Sequence, residues 1–232
     1  MTYNAYIKEN YESVLYQIDE AARKSGRKAE DITLIAVSKT VEVDRIKEIT
    51  KLGVLNLGEN RPQEICEKVE SFSNDINWHL IGQLQTNKVK YIVDKVKMIH
   101  SVDRIELAEE IQKRAQKIDK IIDILVQVNI SGEETKSGIE PSKAIDFVCQ
   151  LSEFPNLRVN GLMTIAPLFT DINSTRPIFK ALKKLSVDIN NENIHNINMD
   201  FLSMGMSNDF TVAIEEGSNM IRVGTKLFGK RY

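Results

Sequence analysis

The sequence predicts a closed (β/α)8 barrel with one additional helix ahead of the first strand. Three observations carry that expectation. Short β-rich apolar runs recur eight times, and stretches of helical periodicity separate them. No Pro/Gly/Ser-rich linker or low-complexity segment interrupts the 232 residues. The length suits one barrel of about 250 residues, so a single domain spanning 1–232 is expected. An open doubly wound sheet shows the same alternation, and closure is therefore the point for the structure to decide.

The leading helix spans residues 3–25, with Ile7, Tyr11, Val14, Leu15, Ile18 and Ala22 on its inner stripe and Gly26 ending it. It precedes the first strand, whereas the chain ends in GKRY directly after the eighth. The helix is expected to cover the resulting gap in the helix ring. The strands read ITLIAVSKT (32–40), VLNLGEN (54–60), NWHLIGQ (77–83), MIHSVD (98–103), DILVQVNI (123–130), RVNGLMTIA (158–166), MDFLSMG (199–205) and MIRVGTKLFG (220–229). Pro62 suits the first turn of a helix carrying Ile65, Val69 and Phe72 on one face. Asp103 and Glu106 stand at capping-box spacing ahead of Ala108, Ile111, Ala115 and Ile118. Pro177 opens a helix carrying Ile178, Leu182, Leu185 and Ile189. Ser207 or Asn208 caps the next one, and Gly217 occupies its C′ position.

Composition is that of an ordinary globular protein, 42% hydrophobic and 28% charged. A net charge of −2 without blocks of like charge gives no argument for nucleic acid or an anionic membrane. No apolar stretch approaches the roughly 20 residues of a membrane span. The polar start, MTYNAYIKENYE, has no secretory pattern. A cytoplasmic monomer is expected. Cys66 and Cys149 lie in amphipathic patterns and read as free buried thiols.

Binding sites of such barrels lie at the C-terminal ends of the strands. The first strand runs through Leu34, Ile35, Ala36 and Val37, a stretch suited to burial on both faces, and then delivers Lys39. The loops after strands 7 and 8 are the recurrent phosphate site of this architecture. There SMGMSND offers Gly205 with the Ser203 and Ser207 hydroxyls, and RVGT adds Gly224 and Thr225. A lysine partly desolvated opposite a phosphate cradle supplies the neutral amine for a Schiff base. Pyridoxal 5′-phosphate fits that pairing, and so do phosphorylated sugars. Arg222, in an otherwise apolar strand, can donate to a pyridine nitrogen and keep it unprotonated, which favours the former ligand.

The same residues sit in strings that resemble the pyridoxal phosphate homeostasis protein family along nearly the whole chain. They are AVSKT (36–40), LGENRPQE (57–64), WHLIGQLQTNK (78–88), SVDR (101–104), VNISGEETKSG (128–138), GLMTIAP (161–167), LSMGMSNDF (202–210) and IRVGTKLFG (221–229). The resemblance implies the barrel of the alanine racemase N-terminal domain and an internal aldimine on Lys39. It puts Asn60 near the ring hydroxyl, Met163 against the ring, and Ser203, Gly205, Met206, Ser207, Gly224 and Thr225 around the phosphate. Arg222 then faces the ring nitrogen. Where many relatives have KP after SKT, this chain has Val41 and Glu42, outside the ligand set.

The resemblance also implies a binding protein that buffers the cofactor and delivers it to apo-enzymes, not a catalyst. Racemase relatives carry a second domain that supplies a tyrosine, and here only the terminal Tyr232 follows strand 8. Two alternatives stay open: a small racemase or decarboxylase using His79 or His100 as base, and a cofactor-free aldolase using Lys39. Lys136, after strand 5, is expected at the same mouth, as an acceptor amine for hand-over or a contact to a ring oxygen.

Overall fold

The computed structural model describes residues 3–133 and 135–229, with side chains from Tyr6 onward. Eight parallel strands close into a barrel in chain order: β1 Thr33–Val37, β2 Asn56–Glu59, β3 Asn77–Leu80, β4 Val96–Val102, β5 Ile122–Gln127, β6 Leu157–Met163, β7 Ile197–Met206 and β8 Met220–Val223. β8 pairs back onto β1, with Ile35 beside Arg222, which excludes the open sheet. The helices are α1 Tyr3–Lys24, α2 Val43–Lys51, α3 Pro62–Lys68, α4 Ile105–Lys117, α5 Ala144–Ser152, α6 Arg176–Asn191, α7 Phe210–Glu215 and α8 Thr225–Phe228. No helix of the described residues is long and apolar enough to cross a membrane.

Strands buried on both faces give two cores. The larger lies between sheet and helices. The smaller, inside the barrel, consists of Ile35, Met98, Leu125, Met163 and Met220 with Phe201 against them. Burying each such side chain contributes about 1.5–3 kcal/mol before entropy is counted. Gly161 leaves room for β7 to pack on β6: a Cβ there would sit 1.9 Å from the Phe201 carbonyl oxygen.

The leading helix does cover the junction of β8 and β1. It packs on α2, α7 and α8, and Asn10 Nδ2 donates to the Leu227 carbonyl at 3.0 Å. Ile7, Val14, Ile18 and Ala22 are buried as the stripe predicts, but Leu15 faces solvent. Gly26, at φ +71°, ends the helix region.

Several local expectations are corrected. Asp103 forms no capping box: Arg104 holds the N-cap of α4, and Asp103 accepts from the Arg104 guanidinium at 2.8 Å. Ile118 lies one residue past α4, beyond its buried stripe, and is exposed. Asp209, not Ser207 or Asn208, is the N-cap of α7, because β7 runs through Met206 and the turn is displaced by one or two residues. Gly217 does take the C′ position at φ +103°, with Gly217 N donating to the Ile214 carbonyl and Ser218 N to that of Ala213. Between β3 and β4 there is only a 3-10 turn, Thr86–Tyr91. Val89, Ile92 and Val93 are buried but span a single turn, too short a stripe for a full helix. Both cysteines are free, yet Cys149 is exposed and Cys66 half-buried, since α5 buries Ala144, Phe147, Val148 and Leu151 instead.

Candidate functional site

A cavity of about 820 Å3 opens at the C-terminal ends of the strands. Lys39, Asn60, Met206, Ser207, Arg222, Gly224 and Thr225 line it. Of the other residues singled out from sequence, Met163 and Ser203 are fully buried below the lining, and Gly205 lies behind it. Tyr232 lies outside the described residues.

The lysine end is built by a buried ionic cluster. Ser38 Oγ donates to Glu59 Oε1 at 2.7 Å. Lys68 Nζ donates to the Ser38 carbonyl (2.9 Å), Glu59 Oε1 (2.8 Å) and Glu64 Oε2 (3.0 Å). Thr40 N donates to Glu64 Oε2 at 2.6 Å, and Thr40 adopts φ +58°, a region that β-branched residues rarely occupy. Both neighbours of Lys39 are thereby clamped, and a strained backbone beside a functional side chain persists only when its surroundings over-determine it. Burial pushes the Glu59 carboxyl up, whereas for Glu64 the Thr40 N–H and Lys68 outweigh burial and hold it down. Glu64 and Lys68 at i,i+4 were visible in the sequence. Their pairing with Glu59 was not, because it depends on α3 packing back over β2.

The anion end is built by the turn between β7 and α7 and the loop after β8, the strand that pairs with β1. Gly205 sits at φ +92°, and a Cβ there would lie 2.6 Å from Ala213 Cβ, so glycine lets α7 close against the strand. Asp209 Oδ1 accepts from Met206 N at 2.6 Å, and burial raises its carboxyl. Ser207 Oγ accepts from Gly224 N at 3.1 Å, tying the two loops together. Among the described residues nothing accepts from the backbone N–H of Asn208 or of Thr225, and both residues line the cavity. The cavity thus offers unmet N–H donors and hydroxyls where an anion can be held.

Arg222 forms part of the floor. Its NH1 donates to the Ser203 carbonyl (2.7 Å) and Ser203 Oγ (2.6 Å), and NH2 donates to the Thr164 carbonyl (2.9 Å). Burial pulls its pKa down to about 10, with Asp209 opposing, so it is a cation at neutral pH. His79 and His100 do not reach the mouth. They point into the barrel, both buried, with His79 Nδ1 3.0 Å from His100 Nε2. Inward alternation along β3 and β4, not position at a strand end, decides where they point.

Sequence reasoning named the strings after strands 3 and 5 without singling out Gln83, Gln127 and Asn129, which line the remaining wall. Gln127 Nε2 donates to the Ser137 carbonyl at 2.9 Å, and Asn129 braces the loop through the Glu133 carbonyl at 2.9 Å. That loop brings Lys136 to the cavity, its ammonium 3.4 Å from Glu133 Oε1.

The alanine racemase N-terminal domain family matches residues 13–232. A pyridoxal phosphate homeostasis protein of Aquifex aeolicus (strain VF5) is 46% identical over 224 residues, 96% of this chain and 97% of that protein. The chain belongs to the pyridoxal phosphate homeostasis protein family. A solved structure of PipY from Synechococcus elongatus PCC7942, with PLP bound, superposes with a TM-score of 0.80 at 34% identity, covering 86% of this chain and 93% of that one. Alanine racemase of Clostridium difficile 630 shares the barrel, with a TM-score of 0.77 at 17% identity over 98% of this chain and 57% of its own. The strings by which this chain resembles pyridoxal phosphate homeostasis proteins supply most of the cavity wall, the loops after β2, β3, β5, β7 and β8.

Proposed function

We propose that this chain binds pyridoxal 5′-phosphate, buffers it in the cytoplasm and delivers it to apo-enzymes, with amino-acid and keto-acid balance depending on that supply. One observation carries the reading: a clamped lysine and an anion cradle share one cavity, with a buried arginine in its floor. The donor set fits the cofactor. Lys39 is the covalent anchor for its aldehyde, and Asn60 serves the ring hydroxyl. Met206, Ser207, Gly224 and Thr225 hold the phosphate, and Arg222 donates to the ring nitrogen. Met163, Ser203 and Gly205 support these from beneath.

Bound pyridoxal phosphate supplies an aldehyde and, where its ring nitrogen is protonated, an electron sink for carbanions. A guanidinium can only donate, so Arg222 holds that nitrogen unprotonated and favours storage over carbanion chemistry. The titratable groups lining the cavity, among the described residues, are Lys39, Lys136, Asp209 and Arg222. Asp209 is engaged with Met206 N, and no imidazole or phenol among the described residues lines the wall to act as a second base. Lys136 places a second amine at the mouth for hand-over. The loaded protein, freed of excess cofactor and mixed with an apo pyridoxal-phosphate enzyme, is expected to reactivate it, more slowly in Lys136→Ala. Incubation with amino acids is expected to give no turnover. Sustained racemisation or decarboxylation would replace the carrier reading with an enzymatic one.

A further inference from the structure

Five polar side chains cross the barrel interior in single file: Arg222 on β8, Ser203 on β7, His100 on β4, His79 on β3 and Asn56 on β2. Successive separations are 2.6, 3.0, 3.0 and 3.2 Å. Ser203 and His100 are fully buried, and Arg222 and His79 nearly so. The small apolar core inside the barrel surrounds this file.

Counting donors and acceptors fixes its direction. Arg222 can only donate, so Ser203 Oγ accepts from NH1. The serine proton then goes to its remaining neighbour, His100 Nδ1. A neutral His100 with Nδ1 accepting carries its proton on Nε2 and donates it to His79 Nδ1. His79 in turn carries its proton on Nε2 and donates to Asn56 Oδ1. Burial holds both rings neutral, reinforced at His100 by the Arg222 charge. The reverse order would leave the Ser203 proton without an acceptor in a fully buried place, which is costly.

We propose that His100 and His79 are positioning residues for Arg222: they hold the Ser203 hydroxyl with an oxygen lone pair turned to the guanidinium, and so aim the arginine at a ring nitrogen in the cavity. Three of the five guanidinium N–H groups are engaged within the protein, and the others are left for the cavity that Arg222 lines. Among the described residues Arg222 forms no ion pair, although the Asp209 charge acts on it, so these neutral hydrogen-bond partners set its orientation. The identity of the ligand rests on the proposed function, while the direction of the file does not.

Two readouts separate those layers. Long-range 15N–1H correlation spectra of the ligand-free protein report each ring's tautomer, and both protons are expected on Nε2. Pyridoxal phosphate titrations then compare wild type with Ser203→Ala, His100→Phe, the double variant and Arg222→Gln, with circular dichroism reporting folding. Ser203→Ala and His100→Phe are each expected to weaken binding roughly three- to tenfold, the loss of about one hydrogen bond. Each should move the visible band in the same direction as Arg222→Gln, and the double variant should be no worse than either single change. Ser203→Ala removes one oxygen and tests the same link if His100→Phe fails to fold. Protons on Nδ1, or a folded Ser203→Ala with wild-type affinity and spectrum, overturns the proposal. A wild type that takes up no pyridoxal phosphate overturns the carrier reading and the ligand-directed half of this one, leaving the tautomers to decide the file itself.

Discussion

Lys68 is the residue on which the lysine end of the cavity depends. One ammonium serves two carboxylates and the carbonyl of Ser38, all within 3.0 Å. Removing one partner of a buried ion pair leaves charge without compensation and costs about 3–5 kcal/mol. Lys68→Met is therefore expected to lower the free energy of unfolding by about that much in urea titrations. Glu59→Gln removes a carboxyl that burial already pushes toward its neutral form, so it should cost far less. If Lys68→Met and Glu59→Gln prove equal, the cluster is not organised around the ammonium. Lys39 and Arg222 stood out in the sequence because each breaks an apolar strand. Lys68 did not, because a lysine on a short helix looks solvated until α3 is packed against β2.

At the scale of elements, the strands were legible because a run buried on both faces is nearly continuous in apolar residues. The connections were less so. The 3-10 turn after β3 and the displaced cap of α7 are set by how many residues span the strands, which tertiary packing decides. Gly161 sits at φ +148° with the Phe201 carbonyl in the place of any Cβ. Gly161→Ala must separate β6 from β7, and is expected to cost more than the about 1–3 kcal/mol of backbone strain alone. Gly205→Ala, at φ +92° and against the Ala213 methyl group, should be milder but still destabilising. Thermal unfolding of both variants checks the order, and a harmless Gly161→Ala would contradict the register of β6 and β7.

Over the whole molecule the buried histidines couple stability to pH. Burial pushes the His79 pKa down from 6.5 to about 4. A histidine whose folded pKa is depressed is protonated first in the unfolded chain. Its contribution is thus fully present above about pH 6.5 and is lost as pH falls toward about 4. The total is about 3 kcal/mol. Raised carboxyls at Glu59 and Asp209 act in the opposite sense, so the test is a difference. Between pH 7 and pH 5 wild type should lose more stability than His79→Phe, and equal slopes would refute a neutral buried His79. None of this was visible in the sequence, where His79 and His100 read as residues near strand ends. Their contact follows from the pairing of β3 with β4, and that of His100 with Ser203 on β7 from the curling of the sheet into a barrel. Closure also brings Lys39 and the loops after β7 and β8 into one cavity.

The measurement that bears most directly on this account is borohydride reduction of the protein saturated with pyridoxal phosphate, followed by peptide mapping in a mass spectrometer. One equivalent of reduced cofactor is expected on the peptide containing Lys39, with the visible band bleached, and neither in Lys39→Ala. Stoichiometric label on another lysine, or no label at saturating cofactor, would contradict it.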